Sequence, residues 1–257
     1  MSPESSRIVI TGASSGIGAE IAKQLAPRRT NLVLVARRKD RLQRVADQCR
    51  ELGANAVTVE ADVGEPQDCQ RLITESVEHL GGLDVLLLNA GISHRGFVES
   101  WDSPDVAESL MNVNYHGVVR CAFHALPHLR KTQGLIAVIS SLQGKAGFPG
   151  NAAYSGSKHA LHGFFDSLRS ELVDHGVGVS IICPGHVDTE FSARPENAPN
   201  VMPASECAER IIAAIDGRKR EEIMTISGKL ANYLKPFFPG LIDSYIRKRL
   251  DEFYGPS

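Results

Sequence analysis

The chain runs to 257 residues, 42% apolar and 23% charged, proportions that suit a globular protein and exclude a disordered one. Lys and Arg number 28 against 30 Asp and Glu, a formal charge of −2 that removes the electrostatic footprint of a nucleic-acid binder. No apolar run exceeds five residues, so no stretch reads as a membrane span.

Short runs rich in Val, Ile and Leu alternate with helical patterns. Ile8–Thr11 comes first, and a glycine-rich turn leads out of it into a helix. After Asn31–Ala36, a stripe of Leu42, Val45, Ala46, Cys49 and Leu52 marks the next helix. Ala56–Glu60 precedes a second stripe, Cys69, Leu72, Ile73, Val77 and Leu80. Val85–Asn89, Leu135–Ser140 and Val179–Cys183 are further strands, separated by the two longest helices, about Asp105–Arg130 and Ala152–His175. Pro184–Pro203, with prolines at 184, 195, 199 and 203, breaks the rhythm and reads as a functional loop, a substrate lid. Ala204–Asp216 resumes as a helix and Glu222–Thr225 as a last strand. The tail at 229–253 carries Tyr233, Phe237, Phe238, Leu241, Tyr245 and Phe253. Strands without polar alternation are buried on both faces, and their alternation with helices implies a parallel sheet. The expected fold is α/β, a doubly wound parallel sheet forming one domain over 1–257.

Cys49, Cys69, Cys121, Cys183 and Cys207 are scattered and without paired spacing. They read as reduced, small packing residues, with neither a disulfide nor a metal expected. Strand-like residues begin at Arg7, which leaves no room for a signal peptide, so the expected location is cytoplasmic.

Gly12, Gly16 and Gly18 directly follow the first strand, and a helix opens at Ile17. Glycines there let the backbone turn tightly and approach a pyrophosphate at the helix N-terminus. The spacing differs from the usual G-x-G-x-x-G, and an ordinary strand–turn–helix explains a lone glycine trio equally well. The second strand ends in Ala36-Arg37-Arg38-Lys39, where an acidic residue would repel a 2′-phosphate. Arginine forks suit phosphate oxygens, at about 1.5–3 kcal/mol for each charge-assisted bond. Three cations in one helix's first turn also oppose its dipole, which favours phosphate binding over a merely solvated start. NADP(H) is therefore expected ahead of NAD(H).

Tyr154 and Lys158 stand four apart on one helical face. A neighbouring ammonium favours the phenolate and is expected to pull the tyrosine down from its usual pKa of about 10. Ser141 ends the fifth strand, where α/β sheets place ligands, and its hydroxyl suits a developing oxyanion.

Together, Thr11-Gly12-Ala13-Ser14-Ser15-Gly16-Ile17-Gly18, Asp62-Val63, Asn89-Ala90-Gly91, Asn114, Ser141, Tyr154-x-x-x-Lys158 and Pro184-Gly185 with Thr189 resemble the short-chain dehydrogenase/reductase family across nearly the whole chain. The resemblance implies a Rossmann fold of seven parallel strands and reversible hydride transfer between NAD(P)H and a carbonyl. It makes Tyr154 the acid/base and Ser141 the partner of the carbonyl oxygen. Lys158 would hold the nicotinamide ribose and lower the tyrosine pKa, and Asn114 would position a water. Ser14, Ser15 and Ile17 belong to the phosphate turn. Asp62 and Val63 would contact adenine, with Asn89, Ala90 and Gly91 at the adenosine-side ribose and central strand. Pro184, Gly185, Val187 and Thr189 would line the nicotinamide end. Three positions depart from the pattern. Leu88 stands where Asn is frequent, Arg29-Thr30 where Gly-Ala is, and Ser15 where NADP-dependent members often carry a basic residue. The last shifts the phosphate contact onto Arg37 and Arg38.

Around Ser141-Leu142-Gln143-Gly144 the sequence is similar to members related to 11β-hydroxysteroid dehydrogenases, which favours a bulky, lipophilic carbonyl or alcohol substrate. The C-terminal aromatics are expected to pack over the pocket or against a second subunit, ahead of a membrane-surface contact. Apolar surplus on the long helices (Met111, Val118, Val119, Phe123 and Leu126; Leu161, Phe164, Phe165 and Leu168) points to a homodimer or homotetramer. Two other readings are a silent NADP-binding scaffold and a sugar-nucleotide epimerase. A complete Ser–Tyr–Lys set argues against the first, and the lack of an added substrate domain after residue 200 against the second.

Overall fold

In the computed structural model, which describes residues 6–191 and 201–248, the chain builds one seven-stranded parallel sheet. Its strands in chain order are β1 (Arg7–Thr11), β2 (Asn31–Ala36), β3 (Asn55–Glu60), β4 (Val85–Leu88), β5 (Leu135–Ile139) and β6 (Gly178–Cys183). A separate small pair, β7 (Val187–Asp188) with β8 (Met202–Pro203), precedes the edge strand β9 (Glu221–Ile223). The order across the sheet is β3-β2-β1-β4-β5-β6-β9. It reverses between β1 and β4, which opens a crevice at the strands' C-terminal ends.

Alternation of side chains along each strand sorts the core into two layers. Ile8 and Ile10 of β1 face α1 (Gly16–Leu25), α2 (Lys39–Glu51) and the later α7, whereas Val9 faces α3 (Pro66–Leu80) and the helices beyond it. Those are α4 (Asp105–Met111), α5 (Val118–Thr132) and α6 (Ala152–Glu171), of which α5 and α6 cover the second face. α7 (Ala204–Asp216) completes the first face, and α8 (Ile226–Leu234) and α9 (Pro239–Lys248) close the described chain. Complete burial of each aliphatic side chain in these layers stabilises the fold by about 1.5–3 kcal/mol. No described helix is long and apolar enough to cross a membrane.

Several expectations are corrected. The long helix near Asp105–Arg130 is interrupted by a π-helical turn at Asn112–Gly117. There the helix meets the 62–64 loop so closely that a Cβ on Gly117 would lie 2.4 Å from the Val63 carbonyl oxygen. α6 stops at Glu171 and gives way to a 3-10 turn, Val173–His175. Leu52 is not part of the α2 stripe: the helix ends at Glu51 and Leu52 lies half exposed. Part of Pro184–Pro203 is ordered by the β7–β8 pair, and residues 192–200 lie outside the described residues. Pro239 starts α9, whose Ile242 and Ile246 pack on Ala146 and Phe148; of the tail aromatics expected to cover the pocket, Tyr245 lines the cavity, Tyr233, Phe237 and Phe238 are exposed, and Phe253 lies outside the described residues. The surplus on the long helices is smaller than expected, because Val118, Leu161, Phe165 and Leu168 are buried against the sheet while Phe123 remains exposed.

Candidate active site

The crevice beyond β1, β4 and β5 is a cavity of about 900 Å³, and its floor is the glycine turn. Gly12 (φ +69°) and Gly16 (φ +56°) occupy the left-handed region, and a Cβ on Gly12 would sit 2.8 Å from the Ala90 Cα. Only glycine meets both demands. Gly18 does not line the cavity; a Cβ there would meet the Gly12 carbonyl oxygen at 2.5 Å, so it serves close helix–turn packing. The turn is held from below by Asn89, whose Nδ2 donates to the carbonyls of Thr11 (3.0 Å) and Gly12 (3.2 Å). The Thr11 hydroxyl in turn accepts from the amides of Asn89 and Ala90. Ser14, Ser15, Gly16, Ile17, Ala90 and Gly91 all face the cavity.

Arg38 folds over this turn. Its Nη2 donates to Ser15 Oγ at 2.5 Å and to Ser14 Oγ at 3.2 Å, so the serine standing where a basic residue is frequent positions an arginine at the start of α2. Arg37 points to Asp62, with Nη1 to Oδ2 at 3.3 Å. Asp62 also accepts the Gly64 amide, and Val63 completes this wall. Glu190, which sequence reasoning overlooked, pairs with Arg38 (3.2 Å) and with Arg41 (2.6 Å). Those two guanidiniums hold its carboxyl below the usual range.

At the other end, β5 meets α6. Tyr154 is buried, and its hydroxyl shares a hydrogen bond with the Ser141 side chain. Ser141 Oγ also accepts the Gln143 amide at 3.1 Å. Lys158 Nζ donates to the Ile139 carbonyl at 2.9 Å and lies 5.6 Å from the Tyr154 ring centre. Burial pushes the phenol up to about 12 despite the Ser141 hydrogen bond, and pulls Lys158 down to about 8. The expected lowering of the tyrosine by its lysine is therefore not found: burial sets the direction, and the one opposing influence is the Ser141 hydrogen bond. Both groups have left water, and the lysine is spent on a backbone carbonyl.

Asn114 lies in the π turn, fully buried and off the cavity. It accepts the Ile92 amide (2.8 Å) and donates to the Ile92 carbonyl (2.9 Å) and to Ser157 Oγ (3.1 Å), which fixes the loop after Gly91. Pro184, Gly185, Val187 and Thr189 line the cavity wall opposite α6, and the Gly16 turn approaches Thr189 closely. Leu142, Phe148, Phe191, Ile242 and Ile246 give the remaining wall an apolar part beside polar Gln143, Lys145 and Asn151, and the Phe191 ring lies 6.0 Å from that of Tyr154. His186 lines the cavity, whereas His94 stacks edge-on with Trp101 instead.

A second buried pair escaped sequence reasoning: His162 Nε2 and Ser140 Oγ share a hydrogen bond at 2.9 Å. The signal was present, since Tyr154, Lys158 and His162 follow one another at helical spacing. Ile139, Ser140 and Ser141 thus each meet one residue of a single α6 face. Burial, with Lys145 next in weight, drives His162 down to about 4.

Comparison with known proteins agrees with this geometry. Residues 6–200 match the family model described as short chain dehydrogenase. A Dehydrogenase/reductase SDR family protein 7-like of Dictyostelium discoideum is 36% identical over 96% of this chain and 83% of its own. The 11-beta-hydroxysteroid dehydrogenase-like 4A of Arabidopsis thaliana is 38% identical over 81% of this chain and 72% of its own. Among solved structures, a short chain dehydrogenase from Burkholderia cenocepacia in complex with NADP superposes with a TM-score of 0.79 at 27% identity, covering 87% of this chain and 97% of that one. An alcohol dehydrogenase from Thermococcus sibiricus complexed with 5-hydroxy-NADP gives a TM-score of 0.79 at 29% identity, over 86% and 96%. The glycine turn at the sheet's switch point, the buried Ser141–Tyr154–Lys158 group and these matches lead to one conclusion: the chain belongs to the short-chain dehydrogenase/reductase family, NAD(P)-dependent oxidoreductases acting on CH–OH and C=O groups.

Proposed function

We propose that the protein is an NADP(H)-dependent oxidoreductase that interconverts a bulky, lipophilic ketone or aldehyde with its alcohol. The observation that carries the reading is one cavity holding Arg37 and Arg38 at one end and Ser141, Tyr154 and Lys158 at the other. The residues fit the cofactor. The turn at Gly12 and Gly16 is a cradle that a Cβ would obstruct, and Arg38 with Arg41 already converges on an anion, the Glu190 carboxylate. When bound, the cofactor supplies or accepts the hydride.

The chain's own residues do the rest. The turn at Gly12–Ile17 binds the pyrophosphate at the start of α1, Arg37 and Arg38 bind the 2′-phosphate, and Asp62 and Val63 flank the adenine. Asn89, Ala90 and Gly91 shape the ribose side, and Pro184, Gly185, Val187 and Thr189 the nicotinamide side. Tyr154, protonated at neutral pH, gives its phenolic proton to the carbonyl oxygen during reduction and takes it back during oxidation. Ser141 holds that oxygen as charge develops. Lys158 fixes the ribose, and Asn114, through Ile92, is a positioning residue. Apolar walls from Leu142, Phe148, Phe191 and α9 favour a lipophilic substrate, as do relatives named 11-beta-hydroxysteroid dehydrogenases. A cytoplasmic protein acting as a homodimer or homotetramer completes the reading.

Arg37→Ala tests the cofactor choice. It should weaken NADPH by about tenfold or more, the value of one charged contact, and barely change NADH. Equal effects on both cofactors in steady-state kinetics would overturn the preference.

A further inference from the structure

The start of α2 concentrates positive charge: Arg37, Arg38, Lys39 and Arg41 stand within five residues, with Asp40 the one acid among them. That end of a helix already carries a positive partial charge, so the cluster calls for an anion. The chain supplies one from a distant segment. A single oxygen of Glu190, Oε2, lies 3.2 Å from Arg38 Nη1 and 2.6 Å from Arg41 Nη1. Arg38 meanwhile reaches both turn serines, so the bridged anion sits beside the phosphate turn itself. Arg38 and Arg41 are three apart on α2 and present one face, and Glu190 belongs to the cavity wall that also carries Thr189 and Phe191.

From this geometry we infer that Arg41 is a third arginine of the 2′-phosphate site and that Glu190 is its built-in competitor, a carboxylate occupying the place a 2′-phosphate takes. The inference rests on the NADP(H) reading above and adds two residues to it. A phosphate offers more charge and more acceptor oxygens than a carboxylate, so it displaces Glu190 from the guanidiniums. All three side chains are between 42% and 62% exposed, and solvent-exposed ion pairs of this kind are weak enough to exchange. The displaced carboxylate still lies near the phosphate and opposes it. NADPH therefore binds less tightly than the arginines alone would allow, whereas NADH, without the 2′-phosphate, has no reason to move Glu190. Glu190 thereby sets how strongly the enzyme discriminates between the two cofactors.

Calorimetric titration of the full chain with 2′,5′-ADP, NADPH and NADH at low ionic strength tests this without any substrate. Glu190→Gln keeps the size and removes the charge. It should tighten 2′,5′-ADP and NADPH about two- to fivefold and leave NADH unchanged. Arg41→Ala should act with the opposite sign, weakening 2′,5′-ADP and NADPH by about tenfold and NADH hardly at all. Both side chains are exposed, so thermal melts should match the parent's. If the unaltered protein binds NADH as tightly as NADPH, the NADP(H) reading itself fails. If it prefers NADPH while Glu190→Gln brings no tightening, the competitor is refuted and the reading stands. An unchanged 2′,5′-ADP affinity in Arg41→Ala removes Arg41 from the site.

Discussion

In the proposed reaction Tyr154 is the side chain on which the chemistry turns, and its surroundings set its protonation state. Buried and pushed up to about 12, its phenol is held protonated at neutral pH, the state that a proton donor in the proposed carbonyl reduction needs. The sequence made the Ser141, Tyr154 and Lys158 set legible because helical spacing and a strand terminus are local features. It could not show that desolvation raises the tyrosine, with only the Ser141 hydrogen bond opposing it, since burial belongs to the assembled core. His162 carries a testable consequence of the same physics. Its folded pKa of about 4 lies below the unfolded value near 6.5, so between those pH values only the unfolded chain takes the proton. The stability it contributes is present above pH 6.5 and is lost as pH falls towards 4. Acidification from pH 7 to pH 5 should cost about 2 kcal/mol at this site. Urea unfolding of the parent and of His162→Asn at both pH values checks it: the variant should lose correspondingly less on acidification, and an identical loss would contradict the assignment.

Among the elements, strands were the most legible. Asn31–Ala36 and helix Ala204–Asp216 appear with the boundaries read from sequence, because an unbroken aliphatic run and a proline-bounded amphipathic stripe are unambiguous. The π turn at Asn112–Gly117 was not legible, since apolar periodicity continues through it and the insertion answers to the approach of the 62–64 loop. The departure at Arg29 gains a physical meaning. Where glycine is frequent in the family, Arg29 follows α1's terminal 3-10 turn with φ +55°, in the left-handed region, and its side chain is exposed. Glycine adopts that conformation without penalty. Arg29→Gly should therefore raise stability by about 0.5–1 kcal/mol, read from the midpoint of a denaturant melt. A lower midpoint would contradict this account.

For the molecule as a whole, the glycine turn, the basic strand end and the catalytic group arise from β1, β2, β5 and α6, and the reversal of strand order brings them to one cavity. That convergence was legible only through the family resemblance, because no local pattern encodes sheet order. Glu190 and Arg41 lacked even that signal, since their pairing is set by how the loop after β7 returns to α2. Phe123 is 67% exposed, with Met111, Val119, Leu126 and Phe164 only partly buried, which leaves an apolar seam on α5, α6 and the end of α4. We propose that a two-fold axis pairs this seam with its copy. Sedimentation at micromolar concentration should give at least twice the mass of one chain, and Phe123→Glu should shift it towards the monomer; a clean single-chain species in the parent would refute the seam.

The central claim is that Tyr154 transfers the proton that accompanies hydride transfer. It is tested most directly by following NADPH oxidation with a panel of lipophilic ketones and aldehydes, using the parent and Tyr154→Phe side by side. The parent should turn over at least one of them. The variant, which keeps the ring and loses only the hydroxyl, should fall by about 10²–10⁴-fold while binding NADPH with unchanged affinity. Turnover by Tyr154→Phe at the parent's rate would contradict the account.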